Sequence, residues 1–238
     1  MSKLRDRTTT KDPRLARLTQ FDEASRKFAI KRMLPGKKPR TRTWRCDRVL
    51  DQGVEGACVG YALTHDLMAY PAEVKGLTAK FARENIYWEA QKRDDWKGGS
   101  YPNAKPRYEG TSVLAGMKTV QALGYIKEYR WAFGLEDLVL GLGYSGPAIL
   151  GLEWRKSMYE PHSCGYIHVD SPAVGGHCIL AVGVNVKEEY VILLNSWGPK
   201  WGSNGRCKVS FAEMDELLKA EGEAVFPVGR RTTPRPPV

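Results

Sequence analysis

Cys58 is the residue whose type and setting most directly suggest chemistry. It follows a turn of small residues and opens the apolar stretch ACVGYALTHDLMAY, which is typical of a buried helix. A thiol in the first turn of a helix lies near unpaired N–H groups and the positive end of the helix dipole, which favour the reactive thiolate. We therefore expect Cys58 to have a lowered pKa and to act as a nucleophile. A lone cysteine on an apolar helix is more commonly a core residue, so the hypothesis depends on finding its partners.

A thiolate nucleophile needs a base, and His177 is the best placed of the four histidines. It stands at the mouth of a β-like run, VGGHCILAVG, with two glycines before it. His65 lies seven residues beyond Cys58 and so about 10 Å along the same helix, too far for a hydrogen bond. His162 and His168 fall in a loop-like stretch. By itself His177 is equally explained as a structural histidine.

Asn195 supplies the third group. It opens the run NSWGPKWGSNG, which follows a predicted strand and is unusually dense in Trp and Gly. Its amide oxygen can hold one imidazole nitrogen and leave the other free to face a thiolate, as in a catalytic triad. Trp197 would then shield that hydrogen bond from water.

Gln52 lies six residues before Cys58 and carries two amide N–H donors. One of them, together with the main-chain N–H of Cys58, would form an oxyanion hole for a tetrahedral intermediate. The alternative is that Gln52 is an ordinary turn residue.

These segments resemble the motifs of the papain-like cysteine peptidases, in their more compact bacterial and phage members. The family pattern Q-G-x-x-G-x-C matches Gln52 through Cys58, G-H before a strand matches residues 176–177, and N-S-W-G-x-x-W-G-x-N-G matches residues 195–205. In weaker form the similarity runs over residues 44–228. It departs from the family at Glu55 and Val59, where a disulfide cysteine and an aromatic residue are usual, and neither change removes a catalytic group.

The resemblance implies a fold and an activity. The fold would be α+β, papain-like and two-lobed, with a helical left lobe, a β-barrel-like right lobe and the active-site cleft between them. The activity would be hydrolysis of polypeptides by a thiol protease that needs no cofactor. By the same resemblance, the backbone of Gly110 would pair with the substrate. Cys178 would face the pocket for the substrate residue second from the scissile bond, or else simply pack in the core.

The domain organisation follows from composition. Residues 1–44 carry 14 Lys and Arg against 4 Asp and Glu, whereas the chain after residue 50 is near neutral. We predict a basic extension over 1–44, a peptidase domain over 45–228 with a mainly helical part (45–145) and a mainly β part (146–228), and a disordered tail over 229–238. The extension is interpreted as a leader that crosses the cleft, a permanent structural arm, or a segment that docks on an anionic surface.

The elements that would position the site can be read from periodicity and turn residues. Helices are predicted from the segments listed here: FDEASRKFAIKRML, ACVGYALTHDLMAY, KFARENIYWEAQKR, SVLAGMKTVQAL, LEDLVLGL and FAEMDELLKA. Strands are predicted for AILGLEW, CILAVGVNV, YVILLNSW, CKVSF and EAVFPV.

Composition also bears on compartment and on rival functions. Five cysteines and no secretory signal favour a reducing compartment, so we expect a monomer that is cytoplasmic or associated with a phage virion, without a membrane span. One rival is a metal site at His162, Cys164 and His168. Others are a non-catalytic module with the same fold, and an acyl transferase or cell-wall peptide hydrolase with the same triad.

Overall fold

The computed structural model describes residues 11–235 of the chain. Its helical segments lie mostly in the first two thirds of that range. They are α1 (Glu23–Arg26), α2 (Cys58–Met68), α3 (Ala79–Phe81), a π-helical stretch (Ala82–Tyr87) that continues into α4 (Trp88–Gln91), α5 (Val113–Ala122), α6 (Leu135–Tyr144) and α7 (Phe211–Lys219). Short 3₁₀ turns cover Ile30–Met33 and Lys156–Tyr159.

The strands form one large sheet and one two-residue pair. They are β1 (Arg17–Leu18), β2 (Arg42–Thr43), β3 (Thr111–Ser112), β4 (Glu128–Ala132), β5 (Ala148–Arg155), β6 (Ala173–Asn185), β7 (Tyr190–Leu194), β8 (Arg206–Ser210) and β9 (Glu223–Val228). The large sheet has the order β4-β9-β5-β6-β7-β8, with β2 also paired to β6, and β1 pairs with β3. Its pairs are antiparallel, as the predicted α+β class requires.

The sheet is covered on both faces, which explains why β6 is apolar along most of its length. One cluster of buried residues joins α2 and α5 to one face, and a second joins α6 and α7 to the other. Ser112 and Ser210 cap α5 and α7 by accepting from main-chain N–H groups, which sets where both helices begin. Among the described residues the strands do not close into a barrel, because β4 and β8 stay at opposite edges.

The sheet also reaches into the part of the chain predicted as helical. The strand Glu128–Ala132 was not predicted, and it pairs with β9 along its full length. Helix α6 packs on the same face of the sheet as α7. Elements from both sides of residue 146 therefore pack together in one sheet and on one of its faces, although most helices precede that residue in the chain and most long strands follow it.

The described part of the N-terminal extension, residues 11–44, packs against the rest of the protein. The single helix predicted over residues 21–34 is two short pieces, α1 and the 3₁₀ turn, between which Ala29 bridges to Trp131. Ile30 is fully buried among residues of α6 and the sheet. Tertiary packing has overridden the helical pattern here, because burying Ile30 brings the chain down onto the sheet.

The prediction of a disordered tail over residues 229–238 does not hold for its described part. Residues 229–235 lie against the body, while 236–238 fall outside the described residues. The Arg230 guanidinium is buried, forms an ion pair with Asp66 at 3.3 Å and donates to the main-chain oxygen of Ala69 at 2.8 Å. Arg235 donates its main-chain N–H to Gly124. A buried carboxylate needs a partner, and only the folded chain shows that Arg230 is that partner.

No helix within residues 11–235 has both the length and the apolar composition needed to cross a bilayer.

Replacing Arg230 with Ala tests the anchoring of this tail. Burial raises the pKa of Asp66 to about 6, and Arg230 opposes that rise. Without Arg230, the ionised carboxylate is buried and unpaired, so we expect unfolding free energy to fall by about 3 kcal/mol at pH 8. A carboxyl whose pKa is raised on folding favours the folded state at low pH and disfavours it as pH rises through that pKa. The loss should therefore be smaller at pH 5, where Asp66 can take up a proton.

Arg231→Ala is the matched control, because within residues 11–235 the Arg231 guanidinium donates to the main-chain oxygens of Gly124 and Arg235 and to no carboxylate. Chemical denaturation at both pH values measures the effect. Equal losses for the two variants, or a larger loss for Arg230→Ala at pH 5, would contradict this role for the Arg230–Asp66 pair.

Candidate active site

Cys58 is the first residue of α2 and is fully buried. Its sulfur lies against the main chain of Cys178 on β6, the residue that directly follows His177. The N-terminus of α2 therefore meets β6 at Cys178, the neighbour in the chain of the predicted base His177.

His177 and Asn195 are joined by a short hydrogen bond. The distance between His177 Nε2 and Asn195 Oδ1 is 2.8 Å, and both residues are fully buried. Asn195 directly follows β7, and β6 and β7 are paired with Leu180 opposite Leu194. That register carries the two side chains to the same end of the sheet. An amide oxygen can only accept, so His177 carries a proton on Nε2, and its Nδ1 has no partner among the described residues.

Two tryptophans enclose this hydrogen bond. The ring of Trp154 on β5 meets the His177 ring edge-on, with their centres 4.7 Å apart. The centre of the Trp197 ring lies 5.0 Å from the centre of the His177 ring. Trp197 is 8% exposed and helps to shield the His177–Asn195 pair from water. Burial lowers the pKa of His177 to about 4, against the opposing effect of the Asn195 hydrogen bond. Trp154 was not identified from the sequence, where it read only as part of a strand.

The side-chain amide of Gln52 is held in place by hydrogen bonds from both of its ends. Its side-chain oxygen accepts from Ser196 Oγ at 2.7 Å, and its main-chain N–H donates to the Ser196 carbonyl. Its Nε2 donates to the Glu55 carbonyl at 2.6 Å and is 3.4 Å from the Arg14 carbonyl. A peptide carbonyl of the chain itself therefore lies where the predicted oxyanion donor points.

The site is covered by residues 12–20, here called the cleft segment. Strand β1 within it pairs in parallel with β3, and Ala16 bridges to Gly176. The main chain of Ala16 touches the Cys58 sulfur. The Arg14 guanidinium lies 4.3 Å from the centre of the Trp197 ring. The cleft segment thus occupies the surface that a peptide would need in order to reach Cys58.

Two glycines line the path of the cleft segment. A Cβ added to Gly176 would lie 2.2 Å from the Arg17 carbonyl oxygen, and one added to Gly110 would lie 2.1 Å from that of Ala16. Gly110 also has φ of 98°, which favours glycine. Any side chain at either position would collide with the main chain of the segment.

Gly110 was predicted to pair its backbone with a bound peptide, and in this structure the pairing with the cleft segment begins one residue later, at Thr111. The Gly110 N–H donates to Tyr87 Oη at 2.8 Å, and its carbonyl accepts from Gln91 Nε2 at 2.9 Å. Its main-chain groups are therefore engaged within the domain, and strand pairing with the cleft segment falls on Thr111 and Ser112. Gly110 contributes space and chain direction, whereas the following two residues pair.

A model of the papain family of cysteine proteases matches residues 45–227, most of the chain. The chain belongs to the papain family of cysteine proteases. It is 53% identical to an uncharacterized peptidase C1-like protein of Acanthamoeba polyphaga mimivirus, in a match covering 72% of this chain and 67% of that protein. It is 26% identical to the oryzain gamma chain of Oryza sativa, covering 74% of this chain and 56% of that one. The chain thus spans a little over half to two thirds of these relatives' length.

Solved structures of papain-family proteins share the fold at low identity. Xylellain, a cysteine protease from Xylella fastidiosa, matches with a TM-score of 0.63 and 16% identity, over 94% of this chain and 99% of that one. A digestive procathepsin L 3 from Tenebrio molitor matches with a TM-score of 0.55 and 15% identity, over 93% and 76% of the two chains. The papain-like α+β fold is thereby confirmed. The more specific resemblance to bacterial or phage members stays a prediction.

The protonation state of the predicted nucleophile, Cys58, differs from the one expected from its helix position. Burial raises the pKa of Cys58, and main-chain hydrogen bonds from Cys178 and Ala16 oppose that rise only in part. The expectation of a lowered pKa is therefore wrong for the chain with its cleft covered. The helix dipole favours a thiolate, but removing water from a charge costs more than the dipole recovers.

The alternative metal site gains no support from the geometry. Within residues 11–235, no group of three or more His, Cys, Asp or Glu side chains is arranged to hold a metal ion. The rings of His162 and His168 are in contact, with centres 4.7 Å apart, but His168 Nδ1 pairs with Glu213 at 2.8 Å and Cys164 is exposed.

The cleft segment should control the reactivity of Cys58 toward iodoacetamide. In the full chain at pH 6, we expect exposed Cys164 to be alkylated before Cys58, because Cys58 is covered and mostly a thiol. In a chain that begins at Phe21, Cys58 should react about tenfold faster for each unit by which its pKa falls. Mass spectrometry of the alkylated peptides gives both rates.

Two melting temperatures serve as controls. The chain beginning at Phe21 loses the buried Leu15 but keeps Ile30, so it should melt below the full chain, and a chain beginning at Arg40, which loses both side chains, should melt lower still. Faster labelling of Cys58 than of Cys164 in the full chain would contradict the proposed cover.

Proposed function

We propose that this chain is a cysteine peptidase that hydrolyses peptide bonds through an acyl-enzyme on Cys58. The observation that carries the proposal is the buried 2.8 Å hydrogen bond between His177 Nε2 and Asn195 Oδ1. It fixes the tautomer of the ring and leaves Nδ1 as the nitrogen able to take the thiol proton.

The reaction follows from these positions. His177 Nδ1 accepts the Cys58 proton, and the sulfur attacks the carbonyl carbon of the peptide. Negative charge on the carbonyl oxygen is stabilised by Gln52 Nε2 and the Cys58 main-chain N–H. The C–N bond breaks as His177 returns the proton to the leaving amine. Water, deprotonated by the same nitrogen, then releases the acyl group from the sulfur.

We further propose that the cleft segment is an inhibitory leader in the full chain. Its main chain touches Cys58, and its Arg14 carbonyl lies near Gln52 Nε2, so it occupies the space around the proposed nucleophile and oxyanion donor. The extension beyond it plays the structural role, since Ile30 is part of the core. The leader and the arm weighed from the sequence thus correspond to successive parts of residues 1–44.

Replacing Cys58 with Ala tests the activity itself. We expect hydrolysis of a fluorogenic peptide library by the chain beginning at Phe21, and its loss in Cys58→Ala, because this substitution removes the proposed nucleophile. Cys164→Ala is the matched control and should keep full activity, because Cys164 is an exposed thiol away from the triad. The proposal fails if Cys58→Ala remains active, or if the folded, alkylatable protein cleaves no peptide.

Gln52→Ala tests the oxyanion donor. Because the amide acts on charge that develops in the transition state, kcat should fall by about 10²–10³-fold with little change in KM. Gln52→Glu keeps an acceptor for Ser196 Oγ but removes the donor, so it should fall at least as far. Ser196→Ala keeps the donor and should lose less. Steady-state kinetics on one peptide measure all three, and an effect confined to KM would mean that Gln52 binds only the ground state.

A further inference from the structure

The part of the extension that leads into β2 carries positive charge that the protein does not neutralise. Residues 27–46 contain eight Lys and Arg and no Asp or Glu. Within residues 11–235, four of these basic side chains are exposed and form no ion pair with a carboxylate: Lys37, Lys38, Arg40 and Arg42. Like charges that lie together without counter-charges from the protein favour an anionic partner from outside.

These charges are held in fixed positions against the end of α6. The Arg40 guanidinium donates from Nε to the Gly143 carbonyl at 2.6 Å and lies 4.0 Å from the centre of the Tyr144 ring. The Tyr144 hydroxyl donates to the Lys38 carbonyl at 3.0 Å, and the Lys37 ammonium lies 5.5 Å from the centre of the same ring. Side chains that are already held in place lose little conformational entropy when a ligand binds to them.

An exposed aromatic ring lies next to this basic segment. The Arg42 guanidinium is 4.6 Å from the centre of the Trp44 ring, and Trp44 stacks on Tyr70 with ring centres 6.5 Å apart and planes inclined by 24°. Tyr70 is 46% exposed, so part of its ring is open to solvent. Proteins that bind single-stranded nucleic acid stack its bases on aromatic rings and hold its phosphates with neighbouring basic side chains.

Beyond this tyrosine the surface becomes basic again. The next residue, Pro71, lines an open recess whose other walls include Arg231, Thr232, Thr233 and Arg235. Within residues 11–235, neither of these two arginines pairs with a carboxylate. Arginine and threonine are among the side chains that donate hydrogen bonds to phosphate oxygens. Basic segment, exposed ring and basic recess thus follow one another along the surface.

The same surface lies away from the cleft. Helix α2 has 11 residues and is therefore roughly 15 Å long, with Cys58 at its first position and Tyr70 just beyond its other end. Among the described residues, the surface includes no exposed Leu, Ile, Phe or Trp side chain, the kind that inserts into a lipid surface. Its chemistry therefore fits a flexible polyanion with planar groups better than a membrane.

We propose that this surface, here called the basic face, binds single-stranded nucleic acid. It consists of the basic segment, Tyr70 and the recess. The phosphates lie along the basic side chains, and an unpaired base stacks on the open part of the Tyr70 ring. The proposal goes beyond the peptidase function and is independent of it, since neither the triad nor the cleft segment belongs to the basic face.

Fluorescence anisotropy with a labelled oligothymidylate of about 20 nucleotides and the full chain tests the proposal. Because phosphate contacts release counterions, log Kd should rise with log salt concentration between about 50 and about 200 mM with a slope of about 3. In the double variant Lys37→Gln/Lys38→Gln, the slope should fall by about one and Kd should rise on the order of tenfold.

The double variant Lys97→Gln/Lys105→Gln is the matched control. It removes the same charge from two exposed lysines in the loop that precedes β3, and it should bind as the unmodified protein does. Absence of binding by the unmodified protein at the lowest salt concentration, or equal weakening by the two pairs of substitutions, would overturn the proposal.

Tyr70→Ala tests the stacking. We expect Kd to rise about tenfold with the salt slope unchanged, because the ring contributes by stacking and not by charge. Tyr70→Phe keeps the ring and should restore binding, and the melting temperatures of both variants show whether they fold. Unchanged binding by a folded Tyr70→Ala would remove the base from the site and overturn the proposal.

Competition separates nucleic acid from other anionic partners. Unlabelled oligothymidylate should displace the labelled strand, whereas polyglutamate and phosphatidylserine vesicles at the same concentration of negative charge should not. Equal displacement by polyglutamate would assign the basic face to acidic polypeptides, and equal displacement by vesicles would assign it to a lipid surface, so either result would overturn the proposal. None of these measurements depends on turnover, so their failure is distinct from failure of the peptidase function.

Discussion

The hydrogen bond between His177 and Asn195 is the interaction on which the proposed chemistry of this protein depends. An imidazole can present either nitrogen to a thiol, and only the acceptor on Asn195 decides which. That acceptor is placed by the antiparallel register of β6 and β7, and the register is held because both faces of the sheet are buried. The catalytic geometry is therefore a consequence of core packing, since slipping either strand by one residue would turn its side chain to the other face.

Desolvation is the second constraint, and it acts in opposite directions on the two titratable partners. Burial raises the pKa of Cys58 and lowers that of His177, so the covered cleft favours a neutral thiol beside a neutral imidazole. The helix dipole and the main-chain donors around the sulfur favour the opposite, charged state. The two states are separated by the presence or absence of water, which the cleft segment excludes. In the proposed mechanism, Cys58 and His177 are therefore a neutral, inactive pair when the cleft is covered and a charged, reactive pair when water enters it.

The N-terminal extension both contributes side chains to the core and covers Cys58. Leu15 and Ile30 are buried with the core residues of the sheet, so parts of the extension are structural. Within the same extension, the main chain of Ala16 touches the Cys58 sulfur and the side chain of Arg17 lies beside Glu223. Glycine at 110 and 176 matters for this reason, because the chain must approach the cleft walls closely from both sides.

The amino-acid sequence by itself determined the local elements and pointed to a candidate triad. Helices such as α2 and α5 and strands such as β5 and β7 follow from apolar periodicity and their bounding residues, whereas Cys58, His177 and Asn195 were selected by residue chemistry together with the family resemblance of their motifs. Only the tertiary structure decided how remote parts of the chain meet. It placed β1 on β3, Arg230 on Asp66 and Arg17 on Glu223, and it reversed the expected pKa shift of Cys58. Pairing between short strands, ion-pair partners and desolvation depend on residues far apart in the chain, and no local pattern encodes them.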